Sequence, residues 1–344
     1  MLLPGKEEQV LANATEIQNR IRSIRDTMKI TKAMYTVSSM KVSKAKQSLE
    51  KTMPFFSAVR KQIKDTLYDF PSIRNLYFDN RLKDEQELVK KRGFVVVTGD
   101  KGMAGAYNLN ILKEARKQFA SSEDYRVFPV GEVGWHTLTL EGYPVAADFH
   151  MPSSDPGIYR VRAIAEYLLE AYREESLDEV YIIYTHMVNS LTEEVRVKKV
   201  LPLPTHEFLA ERRKEKGIPE EERWMIIEPS PETVLENLAR NYVTGYLYGA
   251  LTESFAAEES ARMLAMQTAT NNAEQMLSEL SVQFNRLRQA AITQEITEVI
   301  GGAKALRHKK QKLQKAAKEE ERSEAEVVTG RKEEQSDRKT DGKP

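Results

Sequence analysis

Residues 17–49 read IQNRIRSIRDTMKITKAMYTVSSMKVSKAKQSL, and this stretch decides the fold. Apolar or small side chains recur in alternating steps of four and three residues, the heptad spacing of helices that pair along a seam. Neither glycine nor proline occurs between Lys6 and Met53, which predicts one long helix with its start at Asn13 or Thr15. A helix this long and basic needs a partner to cover its seam. The seam positions are Ile17, Ile21, Ile24, Met28, Thr31, Tyr35, Ser38, Val42, Ala45 and Leu49.

The partner is predicted at the other end of the chain. Glycine and proline are absent between Ala250 and Ile300, and the helix is expected to open near Ser230, a capping residue, with Pro231 at its first position. Two heptad-patterned helices at opposite ends of one chain predict an antiparallel, left-handed coiled coil. The second seam consists of Met266, Ala269, Ala273, Leu277, Leu280, Phe284, Leu287 and Ala291.

The middle of the chain alternates strand and helix patterns. Strand–helix alternation favours a small parallel sheet with crossover helices. The predicted fold class is therefore α/β, with a central Rossmann-like parallel sheet domain, plus a long antiparallel coiled coil formed by the N- and C-terminal helices. Strands are predicted at 93–98, 126–131, 179–185 and 193–201, the last with one solvent-exposed face. Helices are predicted at 109–120 and 161–175.

Composition limits the function. The chain has 344 residues, no cysteine, and 52 basic against 52 acidic side chains. Without cysteine, disulfides, thiolate nucleophiles and cysteine-ligated zinc are excluded. Zero net charge argues against a simple nucleic-acid binder, although residues 13–64 hold twelve basic and three acidic side chains, a net charge of +9. No apolar run of about 18 residues indicates a transmembrane helix, and no signal peptide is evident, so an intracellular protein is expected.

The sequence matches no catalytic or cofactor motif. A glycine-rich loop at residues 98–108 lies between a predicted strand and a predicted helix, as phosphate-binding turns do, but it lacks the spacing of a P-loop or a dinucleotide fingerprint. We interpret it as a structural turn. The histidines are not spaced as a helical ligand pair, and no nucleophile elbow occurs. We therefore expect no catalytic residue, no cofactor and no metal site.

Several segments resemble the gamma subunit of F-type ATP synthases. Residues 17–45 resemble its N-terminal helix, and residues 258–273 and 288–303 resemble its C-terminal helix. Residues 100–108 and 200–204 resemble its central domain. The resemblance follows family order and covers residues 13–306.

The resemblance implies the central rotor stalk of a membrane ATP synthase. Such a subunit is not itself catalytic; it transmits torque from the ion-driven membrane c-ring to the catalytic hexamer of alpha and beta subunits. The implied partners are these subunits, the epsilon subunit and the c-ring, with no nucleic acid and no small-molecule substrate, on the cytoplasmic face of the cell membrane as a peripheral protein. Matching positions imply rotor–stator contacts by Lys29, Lys32, Met34, Arg262, Gln289, Thr293 and Glu295, and a membrane-ring foot with Arg212, Arg213, Lys214 and Lys216.

The ends of the chain depart from the family pattern. Family members usually begin near the position of Asn13 and end soon after that of Leu306. We hypothesise that the extra tail emerges above the catalytic ring and restrains rotation; its first part, 307–322, extends the second helix and its last twenty residues are disordered. The expected parts are an N-terminal extension (1–12), the first coiled-coil helix (13–65), an α/β foot domain (66–228), the second coiled-coil helix (229–306) and a charged, largely disordered tail (307–344).

Two other classes of function stay open. The basic first helix suits a coiled-coil scaffold or a nucleic-acid-binding module, and the middle suits a small α/β enzyme with a helical appendage. Stoichiometric copurification with alpha and beta subunits distinguishes the rotor stalk from both.

Overall fold

The structure, a computed structural model, describes the backbone of residues 6–78, 89–189, 192–214 and 227–337, and side chains over 14–78, 89–189, 192–210 and 227–315. The chain divides into two compact units: a body unit, Thr27–Asn272, and a terminal unit formed by Met1–Asp26 and Ala273–Pro344. The elements in chain order are α1 (Lys6–Asp69), β1 (Lys91–Val97), α2 (Tyr107–Ala120), β2 (Asp124–Val130), α3 (Glu132–Leu140), α4 (Ile158–Arg173), β3 (Glu179–Met187), β4 (Glu193–Leu201), α5 (Thr205–Lys214) and α6 (Pro231–Asp337).

The sheet of the body unit has the strand order β2-β1-β3-β4. β1 pairs in parallel with β2 and β3, which confirms the predicted sheet domain. β4 pairs antiparallel with β3, so the predicted parallel sheet carries one antiparallel edge strand. The reason is the short connection between Met187 and Glu193, because a parallel return needs a crossover of a dozen or more residues. Helices α3 and α5 were not predicted from the sequence.

Apolar side chains cover both faces of the sheet. One core contains Val95, Ile182 and Leu168 of α4. It also contains side chains from the C-terminal part of α1 and the N-terminal part of α6. The other packs Phe94 and Val96 against Ile111 of α2. Burial on both faces explains the continuous apolar run of β1, which is characteristic of a central parallel strand.

The two long helices pair antiparallel within the body unit. Thr31 of α1 meets Thr270 of α6 through hydroxyl groups 2.8 Å apart, and Ser48 meets Tyr248 at 2.7 Å. The residue numbers on α6 fall as those on α1 rise, as an antiparallel pair requires. The α1 seam positions Thr31, Ser38 and Ala45 are buried, and Val59 and Ile63 continue the same spacing. The predicted antiparallel pairing is confirmed.

Close approach of the helices depends on Gly245 of α6. A Cβ atom built there would lie 1.9 Å from Cδ1 of Phe56 in α1. The Phe56 ring therefore occupies the space that any larger residue at 245 would fill. Gly249, one turn further along α6, has no such neighbour within 4 Å.

The terminal unit contains the N-terminal segment of α1 and the C-terminal segment of α6. Ile21 and Ala273 are its buried apolar positions, and Leu277, Leu280, Phe284, Leu287 and Ala291 are half-buried, as the second seam predicts. From Glu295 to Lys315 every side chain is exposed. Helix α1 begins at Lys6 rather than near Asn13. Helix α6 continues to Asp337, so the expectation of a largely disordered tail after Leu306 is corrected to a helix.

The boundaries of the five expected parts stay predictions. Among the described helices, none is both long and apolar enough to cross a membrane.

Candidate functional site: a buried ion network between the paired helices and the sheet domain

Arg262 of α6 connects the helix pair to the glycine-rich loop that follows β1. Its guanidinium Nη2 donates to the carbonyl oxygens of Gly102 at 3.3 Å and Lys101 at 3.4 Å. The same side chain forms ion pairs with Glu258 at 2.5 Å and Glu259 at 2.9 Å. Only 7% of the Arg262 side chain is exposed. The guanidinium fork thus holds two acids of its own helix and the loop at once.

Glu259 extends the network to the other helix. Its Oε1 receives Nζ of Lys41 from α1 at 2.8 Å. Lys41, Glu258, Glu259 and Arg262, together the ion network, therefore connect α1, α6 and the sheet domain. Two positive and two negative charges balance one another, which is the condition for retaining ions in a buried site.

The pKa shifts in the network follow from burial and from these partners. Burial raises the pKa of Glu258 more strongly than Arg262 lowers it. Burial alone would also raise the pKa of Glu259, but hydrogen bonds from Lys41 and Ser38 and the charge of Arg262 together lower it. The pKa of Arg262 is raised, because the two carboxylates outweigh the loss of solvent. Glu259 is consequently the carboxylate that most firmly keeps its charge.

The glycine-rich loop is built to receive α6. A Cβ atom at Gly99 would lie 2.7 Å from the Glu258 carboxylate, so glycine allows the helix to approach. Asp100 accepts backbone N–H groups of Ser153 at 2.9 Å and Ser154 at 2.8 Å. Burial tends to raise the pKa of Asp100, but these bonds and the Ser154 hydroxyl outweigh burial and lower it. Two acidic side chains, Asp100 and Glu258, lie at the start of the turn and oppose a phosphate ligand, which favours the structural interpretation of this loop.

Helix α1 presents an exposed apolar stripe on a face away from its seam. Ile30 is 61% exposed, Val37 52% and Met40 68%, and Ala33 between them is also exposed. These four residues, the outer stripe, recur in steps of three and four, so they lie on one side of the helix. Lys44 continues the stripe. The spacing was visible in the sequence, but only the structure shows that the stripe is uncovered within the chain.

Three predicted rotor–stator residues lie beside this stripe. Lys29 and Lys32 are exposed on the same turn as Ile30, whereas Met34 is half-buried. The Arg262 guanidinium is engaged by Glu258 and Glu259 inside the body unit, and its rotor–stator contact stays a prediction. The ion network had no signal in the sequence beyond the run of charges at 258–262.

The other predicted contact residues belong to the terminal unit. Gln289, Thr293 and Glu295 are exposed on α6, and the Thr293 hydroxyl donates to the Gln289 carbonyl at 2.9 Å. The foot residues Arg212, Arg213 and Lys214 form the last turn of α5, while their side chains and all of Lys216 lie outside the described residues.

Among the described residues, no group of three or more acids or histidines is arranged to hold a metal ion.

Comparison with known proteins identifies the family. An ATP synthase family model matches residues 13–306. The ATP synthase gamma chain of Acetivibrio thermocellus is 41% identical over 299 residues, which cover 86% of this chain and 100% of that protein. The chain belongs to the ATP synthase gamma chain family. The ATP synthase gamma chain, sodium ion specific, of Acetobacterium woodii is 36% identical and is covered over 99% of its length.

The fold has a counterpart among solved structures. A chain in the central stalk and c-ring structure of the Tetrahymena thermophila mitochondrial ATP synthase matches with a TM-score of 0.50 and 23% identity. The match covers 70% of this chain and 99% of that one. The combination of long terminal helices with a central sheet therefore has a counterpart in an ATP synthase central stalk structure. Residues 307–344 lie outside the family match.

Proposed function

We propose that this chain is the central rotor shaft of an ATP synthase and holds no catalytic site or cofactor of its own. Family membership makes it a subunit of the complex that couples ion transport to ATP synthesis or hydrolysis. It also favours this function over the scaffold, nucleic-acid and enzyme alternatives. The observation that supports the shaft most directly is the ion network, which fastens both long helices to the sheet domain.

A shaft must carry twist from its foot to its upper part without slipping. Contacts distributed along the pair oppose slip: Thr31 with Thr270, Lys41 with Glu259, and Phe56 against Gly245. Polar contacts at seam positions fix the register of paired helices, because a shift would leave buried polar groups without partners. Torque applied to the sheet domain thereby reaches both helices.

The outer stripe supplies the surface for the catalytic ring. Its apolar side chains are flanked by Lys29 on one side and Lys41 on the other, and the Lys41 side chain remains 46% exposed. Such a surface is complementary to a segment of the alpha or beta subunits in which acidic residues border apolar ones. Gln289, Thr293 and Glu295 are proposed as a second, polar contact region on α6.

The lower end of the chain is proposed to contact the epsilon subunit and the membrane c-ring. Arg212, Arg213 and Lys214 at the end of α5 provide positive charge for this contact, and Lys216 follows in the sequence. The proposal includes a peripheral location on the cytoplasmic face of the membrane, which such a contact would require.

The proposal is tested by a substitution on the outer stripe in the assembled complex. Val37→Glu is expected to reduce ATP-driven ion pumping more strongly than ATP hydrolysis, because the new carboxylate repels the acidic residues of the partner segment. Ser39→Glu is the matched control, since Ser39 is exposed on the same turn but faces away from the stripe. Pumping and hydrolysis are measured on the same purified complexes.

Three results would contradict the proposal. The first is a chain that fails to copurify with alpha and beta subunits. The second is a Val37→Glu complex that pumps as well as wild type, and the third is equal loss in both variants.

A further inference from the structure

A pocket of about 530 Å³ lies where β4 meets α1, α5 and α6, away from the ion network. Its rim includes Lys198 and Lys199 of β4 and Arg60 of α1. Small-molecule sites typically have volumes of about 300–1,000 Å³, so this pocket is large enough for one small ligand.

Cationic side chains outnumber acids around the pocket. Among the described residues, the cations of Lys198 and Arg60 line it together with a single carboxylate, that of Glu207, which is exposed to solvent. The Lys199 ammonium lies on the opposite face of the sheet, where it binds Glu179 at 2.8 Å and lies over the Tyr181 ring, so it is not one of the pocket's cations. Two cations against one carboxylate give the described lining of the pocket a net positive charge.

The floor of the pocket is apolar and aromatic. Phe208 is buried and packs edge-to-face against Tyr242, with ring centres 5.3 Å apart. The guanidinium of Arg60 lies 5.7 Å from the centre of the Phe208 ring. Tyr246 completes the wall, and burial raises the pKa of its phenol, which stays a neutral hydrogen-bond donor. Cations at the rim and rings at the floor suit a ligand with two chemically different ends.

We propose that this pocket binds a phosphate ester. Lys198 and Arg60 hold the phosphate group through charge-assisted hydrogen bonds, and the aromatic floor receives the apolar or aromatic remainder of the ligand. A nucleotide and a phospholipid headgroup both carry this chemistry. None of the lining residues belongs to the ion network or the outer stripe, although α5, which lines the pocket, also carries the proposed foot residues at its end.

Thermal unfolding of the purified full chain tests the site. The probes are sodium phosphate, ADP and short-chain dihexanoyl phosphatidylglycerol, each compared with sodium chloride at equal ionic strength. A ligand that binds only the folded state raises the Tm. We expect phosphate to raise the Tm slightly and one of the two esters to raise it further, which also identifies the source of the ligand. Dihexanoyl phosphatidylcholine is the control for the lipid.

Lys198→Glu is the deciding variant, and Lys113→Glu on α2 is its control, because both lysines are exposed and only Lys198 lines the pocket. Loss of one charge-assisted contact is expected to weaken binding by about tenfold or more. Lys198→Gln repeats the test if the glutamate variant does not fold. A Tm that no phosphate compound raises above chloride overturns the proposal, as does equal weakening in the Lys113 control. Equal shifts with phosphate and both esters would overturn the role assigned to the floor.

Discussion

Lys41 of α1 and Glu259 of α6 form an ion pair of 2.8 Å across 218 residues of sequence. The Glu259 side chain is only 2% exposed, whereas that of Lys41 is 46% exposed. The acid is therefore the fixed centre of the contact, and Arg262 reaches the same oxygen from the next turn of α6 at 2.9 Å. One buried oxygen thus receives the two cations that connect α1, α6 and the glycine-rich loop.

Replacing Glu259 is expected to destabilise the body unit strongly. In Glu259→Gln the buried Arg262 loses one of its two carboxylates, and breaking a buried ion pair costs about 3–5 kcal/mol. Urea unfolding of the full chain measures the loss. Glu50→Gln, at an exposed position of α1, is expected to change the free energy of unfolding by no more than about 0.5 kcal/mol. Equal stability of the two variants would contradict the assigned role of Glu259.

Glu179 is expected to make stability fall in acid. Burial tends to raise its pKa, but Lys199, Lys90 and Tyr181 outweigh burial and lower the pKa from 4.5 to about 2. A carboxyl with a lowered folded-state pKa contributes stability above its unfolded pKa and loses it as pH falls through the folded value.

The window for this effect is therefore about pH 4.5 down to about pH 2. Tm measured across that range is expected to fall less steeply in Glu179→Gln than in wild type. Glu123→Gln, an exposed acid beside β2, is expected to keep the wild-type slope. Identical slopes in wild type and Glu179→Gln would show that Glu179 does not contribute.

Two glycines of α6 are expected to respond oppositely to alanine. Gly245→Ala places a methyl group into the Phe56 ring, and overpacking of this kind costs about 1–3 kcal/mol. Gly249→Ala meets nothing within 4 Å and is expected to stabilise the helix by about 0.5–1 kcal/mol. Thermal unfolding of both variants checks the difference, and a stabilising Gly245→Ala would refute the close contact.

The Thr31–Thr270 hydroxyl pair is expected to show coupling. Each hydroxyl also lies near a carbonyl of its own helix, Met28 at 3.0 Å and Met266 at 2.9 Å, so a single valine substitution costs about 1 kcal/mol. The double variant Thr31→Val/Thr270→Val is expected to cost less than the sum, because both partners become apolar together. A double-mutant cycle measures this coupling, and strict additivity would argue against the hydrogen bond.

The tail after Leu306 stays a hypothesis about regulation. Every described side chain from Glu295 to Lys315 is exposed, so truncation after Leu306 is expected to leave the Tm of the isolated chain unchanged. In the complex we expect faster ATP hydrolysis, since a restraint on rotation is removed. Unchanged hydrolysis and unchanged inhibition of the complex would exclude a regulatory role.

The heptad spacing around Thr31 and Ala45 was sufficient to predict the helix pair, because a helix with one buried face has apolar or small residues at regular intervals in its sequence. Runs of β-branched residues likewise marked β1 and β3. Helix α3 was missed because its sequence around Trp135 and Leu138 is short and weakly patterned. The burial of Arg262 could not be predicted, because nothing in its sequence neighbourhood shows that Gly102, 160 residues away, supplies its acceptor.

By itself, the sequence determined the two long helices, the α/β class and the family, since periodicity and family motifs are local properties of the chain. Tertiary structure alone decided three things: the direction of β4, the burial of Arg262 with Glu258 and Glu259, and the exposure of Ile30, Val37 and Met40. The physical reason is the same in each case. Pairing direction, ion pairing and exposure depend on which distant segments meet, and that is fixed only when the chain packs.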